Sequence, residues 1–301
     1  MAQSSDEFAD TWSSHHGFLL NLAYRLLGSY SDAEDIVQEA FTRLLRADLD
    51  PIEDVRAWLV VVVSRLCLDQ LRSSRVRREA YMGPWFPEPL IEPEGAAVDP
   101  AEVVTLDESV RMALLIVLER MSPAERVVFV LHDVFEFPFE KIATMVNRTP
   151  GACRQLASRA RRRIEEEAGS ARFAIDPDEQ RRVVDEFIAA CSSGNLRKLL
   201  ALLDPTVMGW ADVGGMLPMV NRPIVGREAV AEGTMRFFGP GSRSRLVARD
   251  VNGERGIIVF RGQDVLAVVA LSVKEGAVTR VYAVVDPRKL ARVKQVLDLH
   301  E

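Results

Sequence analysis

The sequence predicts a multidomain protein in which two all-α domains, the second carrying a helix-turn-helix, precede an α+β domain. Three observations carry this reading. Apolar residues recur at three-and-four spacing through most of the chain up to Ala168. The stretch from Phe139 to Ile164 reads as a helix, a tight turn and a second helix with one basic face. From Val207 onward the period changes to short runs, several apolar on both faces, joined by turns such as Asn252-Gly253 and Glu275-Gly276.

Bulk properties bound the function. A length of 301 residues, 48% of them hydrophobic, is enough for more than one core. The net charge of −6 argues against indiscriminate nucleic-acid binding, yet arginines bunch between Arg65 and Arg78 and between Arg154 and Arg163. Such local patches decide binding more than the total does. Cys67, Cys153 and Cys191 lie far apart without metal-ligand spacing, so no metal or cofactor is expected, and buried thiols in a reducing cytosol are. Asp6, Glu7 and Asp10 stand where a basic leader would, and apolar runs such as Trp58 to Val63 are too short to cross a bilayer. The expectation is a soluble, cytoplasmic protein with no membrane partner.

A first helix is predicted from Trp12 to Gly28, with Phe18, Leu19, Leu22, Ala23, Leu26 and Leu27 on its core side and Gly28 as terminator. Ser31-Asp32-Ala33-Glu34 reads as a capping box opening a second helix, whose core face holds Ile36, Val37, Ala40, Phe41, Leu44 and Leu45. Its opposite face carries Asp35, Gln38, Glu39 and Thr42, ordinarily only a solvated stripe. After the Pro51 loop, a third helix from Arg56 to Arg78 is apolar at first and basic at its end. Val76 to Val103, rich in proline and acidic residues, reads as an extended linker. Within it Trp85-Phe86-Pro87-Glu88-Pro89 is stiff enough to present its aromatic pair together, either tucked against a neighbour or as a specific contact.

Another helix follows from Leu106 to Met121, and a second capping box, Ser122-Pro123-Ala124-Glu125, opens one whose core residues are Val127, Val128, Val130, Leu131 and Val134. In the helix-turn-helix, Phe139, Ile142, Ala143 and Val146 share one side, and Asn147 suits the left-handed position that ends a helix. Thr149 is the N-cap and Pro150 the first residue of the next helix, where a missing N–H costs nothing. Its stripe is Cys153, Leu156, Ala157, Ala160 and Ile164, which leaves Arg154, Gln155, Ser158, Arg159, Arg161 and Arg162 outside it. These are groups that pair with base edges and phosphates, although an arginine-rich helix end is often merely solvated. Beyond Ala168 come helices from Asp178 to Cys191 and Leu196 to Leu203, broken by Asp204-Pro205. Strands are read at Val207–Ala211, Leu246–Val251, Ile257–Phe260, Val265–Val273 and Val278–Val285, with a helix from Glu228 to Phe238 between the first two.

This order of elements resembles the bacterial RNA polymerase sigma factors of the extracytoplasmic function (ECF) class. Asp32 to Phe41 resembles the segment that docks on the polymerase clamp helices, which implies core binding by Asp32, Asp35, Gln38, Glu39 and Phe41. Arg56-Ala57-Trp58-Leu59 and Asp69-Gln70-Leu71-Arg72 resemble the segment that melts and reads the minus-10 element, implying roles for Arg56, Trp58, Arg65, Asp69 and Arg72. Arg65 stands where many members carry asparagine. By the same resemblance Arg154, Gln155 and Ser158 face the bases of the minus-35 element, with Thr149, Arg159, Arg161 and Arg162 completing that contact. The implied partners are core RNA polymerase, through clamp helices and flap, and promoter DNA. The linker would thread near the RNA exit path.

The C-terminal part resembles the SnoaL-like, NTF2-like cone, a curved sheet wrapped round helices. That cone often encloses a pocket, so an unknown small ligand is a possible partner. The expected division is sigma region 2 over 1–80, linker over 81–104, region 4 over 105–168 and the SnoaL-like domain over 176–301. Asp212-Val213-Gly214-Gly215-Met216 followed by Arg222-Pro223 resembles a loop motif, Asp-Gly-Gly-Gly-basic then Arg-Pro, of the ECF group with such an extension, which also carries Trp-Leu-Pro-Glu-Pro in its linker. Regulatory contacts are therefore implied for Trp85, Phe86, Pro87, Glu88, Pro89, Asp212, Gly214 and Gly215, while Val213 and Met216 depart from the motif. His15, His16, His132 and His300 all fall outside the strand and helix body of this domain. Only Asp212, Asp250, Asp264 and Tyr282 remain for proton transfer there, so no enzyme is expected. Two rival readings are a stand-alone helix-turn-helix regulator with a ligand-sensing cone and a cyclase-like enzyme fused to a DNA-binding module.

Overall fold

The computed structural model describes residues 2–47, 52–79, 84–91, 110–168, 176–215 and 222–298. Their contacts divide into two units. One contains the chain to Glu79 together with Val117–Glu167, and the other contains 84–91, Val110–Ile116 and the chain from Ala168 onward.

In the first unit α1 (Ala2–Leu27), α2 (Tyr30–Arg46) and α3 (Val55–Glu79) form a bundle. α1 runs well beyond the start predicted at Trp12, since neither proline nor glycine interrupts the chain before Gly17. Gly28, at φ +67°, ends it as predicted. The cap of α2 is Ser29, not Ser31: Ser29 is extended, and its hydroxyl accepts the Asp32 N–H at 3.2 Å. With the left-handed glycine immediately before it, the chain re-enters a helix within one residue, which places Ser31 inside the first turn. Leu45, expected in the core, is 63% exposed. It lies seven residues beyond Gln38, on the same helix face as that exposed side chain.

α5 (Pro123–Phe129) opens with the predicted capping box, in which Ser122 and Glu125 satisfy each other's backbone N–H. A π-helical turn, Val130–Val134, follows, and α3 packs against α5 and against α6 (Phe139–Val146). Beneath them Arg126 and Glu119 form a buried ion pair at 2.6 Å, a pairing no sequence pattern announced.

The second unit is built on a six-stranded sheet in the order β2-β1-β6-β5-β4-β3. Its strands are β1 (Leu203–Asp212), β2 (Ile224–Val225), β3 (Ser244–Val251), β4 (Glu254–Arg261), β5 (Asp264–Lys274) and β6 (Ala277–Val284). β1 runs parallel to β6, and the other pairs are antiparallel. β1 starts at Leu203 rather than Val207, and Pro205 lies where its register against β6 shifts, so no ladder bond is lost there. The two-residue β2 and the C-terminal helix α11 (Ala291–Asp298) were not predicted.

The doubly apolar strands find two covers. On one face α8 (Pro177–Ser192), α9 (Leu196–Leu202) and α10 (Arg227–Phe238) bury Phe187, Leu199 and Val230 against Ile257, Val259 and Val269. On the other, Ile258, Val268, Tyr282 and Val284 are covered by Phe86, by Met112 and Ile116 of α4 (Met112–Glu119), and by Leu290 and Val293. The predicted start of α4 at Leu106 lies outside the described residues.

Removing the α2 cap by Ser29→Ala should cost about 1 kcal/mol, whereas Ser31→Ala should stay within about 0.5 kcal/mol. Urea denaturation of the two variants distinguishes these values, and the reverse order would restore Ser31 as the cap.

Candidate nucleic-acid interface and linker clasp

The turn of the helix-turn-helix is set by two residues. Asn147 adopts φ 54°, ψ 57°, ending α6, and the Thr149 hydroxyl accepts the Ala152 N–H at 3.2 Å to start α7 (Pro150–Ala168). Cys153, Leu156, Ala157, Ala160 and Ile164 are buried, which turns Arg154, Gln155, Ser158, Arg159 and Arg162 outward. Three of these arginines rest on carboxylates: Arg154 on the exposed Glu140 at 2.9 Å, Arg159 on the half-buried capping-box Glu125 at 3.4 Å and Arg162 on the exposed Glu166 at 3.6 Å. Pairs of this kind are worth at most about 1 kcal/mol and yield readily to a phosphate.

Arg161 departs from the expectation of a DNA contact. Its guanidinium grips Asp133 of the π-helical turn through two bonds, at 2.6 and 3.2 Å, bracing α7 within its own unit. Hydrogen bonding to Asp133 raises its pKa above the ordinary arginine value, so the guanidinium side of the brace stays charged.

On α3, Arg56 lies over the Phe18 ring at 4.2 Å, Trp58 is half-buried, and the exposed Asp69 and Arg72 stand 3.4 Å apart. Arg65 donates to the Thr144 carbonyl of α6 at 3.2 Å. On α2, Asp35, Gln38 and Glu39 are exposed on one face, while Asp32 is half-buried in the first turn. Phe41 is another correction. It is 1% exposed, with its ring centroid 4.6 Å from that of Trp12, so it shapes the bundle and presents nothing to a partner. The exposed Leu45 extends the α2 face in its place.

The linker pentapeptide is held in the second unit. The Phe86 N–H donates to Asp212 Oδ2 at 2.8 Å, and Lys289 Nζ donates both to the Phe86 carbonyl and to the same carboxylate, the latter at 2.6 Å. Asp212 is fully buried and Lys289 5% exposed, and the ammonium lies 3.4 Å from the Trp85 ring centroid. Phe86 packs edge-on against Tyr282, Pro87 and Pro89 are buried, and Glu88 is half-buried. Further along, Leu90 exchanges backbone bonds with Asn252, donating to its side chain at 3.1 Å and accepting from its N–H at 2.8 Å.

The glycines of the loop have distinct physical reasons. Gly214 donates its N–H to Asp212 Oδ1 at 3.1 Å and adopts φ +70°, and a Cβ there would meet Asp286 Cγ at 2.8 Å. Gly215, at φ +72°, continues the left-handed turn, and Met216 lies outside the described residues. Burial opposes ionisation of Asp286, but hydrogen bonds and charge from Arg288, with the charge of Lys289, outweigh it and hold the carboxyl below its usual range. Lys289 is the functional residue that sequence reasoning missed. It lies 77 residues from Asp212, and only the motif's missing basic residue at Met216 hinted that a cation must come from elsewhere.

Of the four residues considered for proton transfer, Asp212 and Tyr282 both meet Phe86, one through its N–H and the other through its ring. Asp212 is committed to Lys289, while Asp250 and Asp264 pair across from Arg255 and Arg261 at opposite ends of β4. Phe187, Leu199 and Val230 pack on one face of the sheet. Cys67, Cys153 and Cys191 are buried free thiols, and among the described residues no His, Cys, Asp or Glu group is arranged to hold a metal. Among those residues no helix is long and apolar enough to cross a membrane.

Comparison with known proteins covers both units. The Sigma-70 region 2 family matches residues 11–77 and the Sigma-70, region 4 family residues 111–164. The chain is 42% identical over 288 residues to the probable ECF RNA polymerase sigma factor SigI of Mycobacterium tuberculosis, covering 95% of each chain. It is 40% identical over 282 residues to the ECF RNA polymerase sigma factor SigJ of the same organism, covering 90% of this chain and 89% of that one. The crystal structure of SigJ matches with a TM-score of 0.74 at 36% identity, over 94% of this chain and 98% of that chain.

Lys289→Met should destabilise the second unit by about 3–5 kcal/mol, because it leaves the Asp212 charge buried and unpaired. Adding Asp212→Leu should recover part of that loss, short of the full amount because the Phe86 N–H then lacks an acceptor. Denaturant melts of both variants measure the coupling, and additive losses would dissolve the clasp as a unit.

Proposed function

The chain belongs to the ECF sigma factors of RNA polymerase, which direct promoter-specific transcription initiation, and we propose how its parts divide that work. The exposed α2 face, with Asp35, Gln38, Glu39 and Leu45, docks on core polymerase. α3 engages the minus-10 element through Arg56, Trp58, Arg65, Asp69 and Arg72. Arg154, Gln155 and Ser158, near the start of α7, face the minus-35 bases, with Arg159 and Arg162 on phosphates and Thr149 holding the turn. Arg161 and Phe41 act from beneath, as a brace and as core.

We further propose that the C-terminal unit regulates initiation in cis, by withholding the linker. The observation that carries this is the double hold on Phe86, whose N–H and carbonyl are both taken by the Asp212–Lys289 pair. A linker that must thread the polymerase has to leave this clasp. The clasped and threaded states therefore compete, and any interaction that favours one lowers the population of the other.

Two experiments test this division. Charge reversal by Asp35→Arg with Glu39→Arg should lower affinity for core polymerase at least tenfold, about 1.4 kcal/mol, without shifting the thermal midpoint. Arg154→Ala should selectively weaken initiation from promoters that retain their minus-35 element. Intact core binding in the α2 variant would remove that face from the interface.

Run-off transcription with core polymerase at limiting sigma factor addresses the regulation. Phe86→Ala empties the aromatic socket against Tyr282 and weakens the linker's hold on the sheet; with a thermal melt confirming that the C-terminal unit still folds, it should raise the yield several-fold. An unchanged or lower yield would sink the cis restraint and leave the sigma assignment standing.

A further inference from the structure

A cleft lies inside the first unit, between α3 and the helix-turn-helix. One part of it, about 390 Å³, is lined by Arg65, Asp69 and Arg72 on one side and by Thr144 to Arg148 on the other. An adjoining part, about 440 Å³, shares Arg72 and Arg148 and adds Ser122 and Arg159. Both volumes fall in the usual range for small-ligand sites, roughly 300–1,000 Å³. Both are far too small for a duplex.

Four guanidinium groups thus converge on a recess whose own lining supplies one carboxylate, Asp69. Arg65 donates to the Thr144 carbonyl and Arg148 to that of Asn147. Arg72 stands 3.4 Å from Asp69, and Arg159 the same distance from Glu125. A guanidinium carries five N–H donors in a planar fork, so each group keeps most of its capacity for a further acceptor. Packing α3 against α6 brings these exposed side chains to one recess, where water screens their mutual repulsion and their remaining donors face a common opening. Leu68, Met145, Val146 and Leu156 give the same recess an apolar wall.

We propose that this cleft is a binding site for a small polyphosphate anion, whose occupancy fastens α3 to the helix-turn-helix. Phosphate oxygens match the arginine forks, and a chain of several phosphates spans the two adjoining parts. The bound anion occupies arginines that the proposed function assigns to promoter DNA, so anion and promoter exclude one another. That consequence rests on the sigma assignment; the binding itself does not.

The test uses the full chain and two probes, inorganic tripolyphosphate and ATP, titrated calorimetrically at constant ionic strength. Saturable binding is expected, with a rise in thermal midpoint and slower hydrogen exchange across Thr144–Arg148. In Arg72→Ala with Arg148→Ala, both exposed positions, affinity should fall at least tenfold while the midpoint without anion stays put. If that double variant does not fold, Arg148→Ala alone carries the same expectation with a smaller loss. Tighter binding of ATP than of tripolyphosphate identifies a nucleotide, with its base on the apolar wall, and equal binding identifies the phosphate chain alone. Absence of saturable binding for both probes, or binding untouched by the substitutions, overturns the site.

Discussion

A sheet that is apolar on both faces cannot stand in water with one face bare, and the second unit depends on that constraint. α8, α9 and α10 cover one face with secondary structure that follows β1 or precedes it closely in the chain. The other face is covered by chain from a distance: Phe86 from the linker, Met112 and Ile116 from α4, and Leu290 and Val293 near the C-terminus. Burying a side chain such as Phe86 is worth roughly 1.5–3 kcal/mol, so the linker is recruited by the hydrophobic effect before any polar contact forms. The Asp212–Lys289 pair then decides how the linker lies. A buried ion pair is weak evidence for stability but strong for register, because it satisfies the N–H and carbonyl of one residue and no other.

The same separation between recruitment and specification holds in the first unit. The apolar stripes of α6 and α7 bring the helices together, but the angle between them is set by Asn147 in its left-handed conformation and by the Thr149 cap. The π-helical turn at Val130–Val134 is the less obvious contributor. It places Asp133 where Arg161 can reach it, and so ties the middle of α7 to the element that precedes α6. That tie adds to the pairs of Arg154 with Glu140 and Arg159 with Glu125, and it is the one made through two bonds.

Much of this was legible in the sequence, and the misses share a cause. Helix periods, the Ser122 capping box, the Asn147–Pro150 turn and the strand runs are local patterns, readable over a few residues, and the structure contains them. The Ser29 cap was misread because Ser31-Asp32-Ala33-Glu34 satisfies the same local rule two residues later. The choice between them was made by Gly28, whose left-handed geometry brings the chain back early. Phe41 was read as both core and contact, and its packing on Trp12 depends on a helix elsewhere in the bundle. Lys289, the Arg126–Glu119 pair and the cover supplied by α4 are pairings over distance, for which a single sequence carries no pattern. The linker pentapeptide was therefore visible, and the cation that holds it was not.

Burial also separates arginines that composition treats alike. Arg126, 2% exposed against Glu119, belongs to the scaffold, where removing either partner strands a charge in a poor dielectric, and Arg161, itself more exposed, is tied by two bonds to the largely buried Asp133. Arg154 and Arg162 sit on exposed carboxylates whose hold is small and easily screened, and the exposed Arg159 on a half-buried one. Those resting pairs offset the arginine charge locally until a stronger acceptor displaces the carboxylate. When a phosphate replaces a carboxylate, counterion release from the nucleic acid adds to the exchange, and the balance tips toward the longer polymer. A scaffold of buried arginine pairs with exchangeable ones on its surface gives modest affinity to each contact taken singly. Such contacts suit a protein that meets two promoter elements at once, because their sum discriminates while no single one captures.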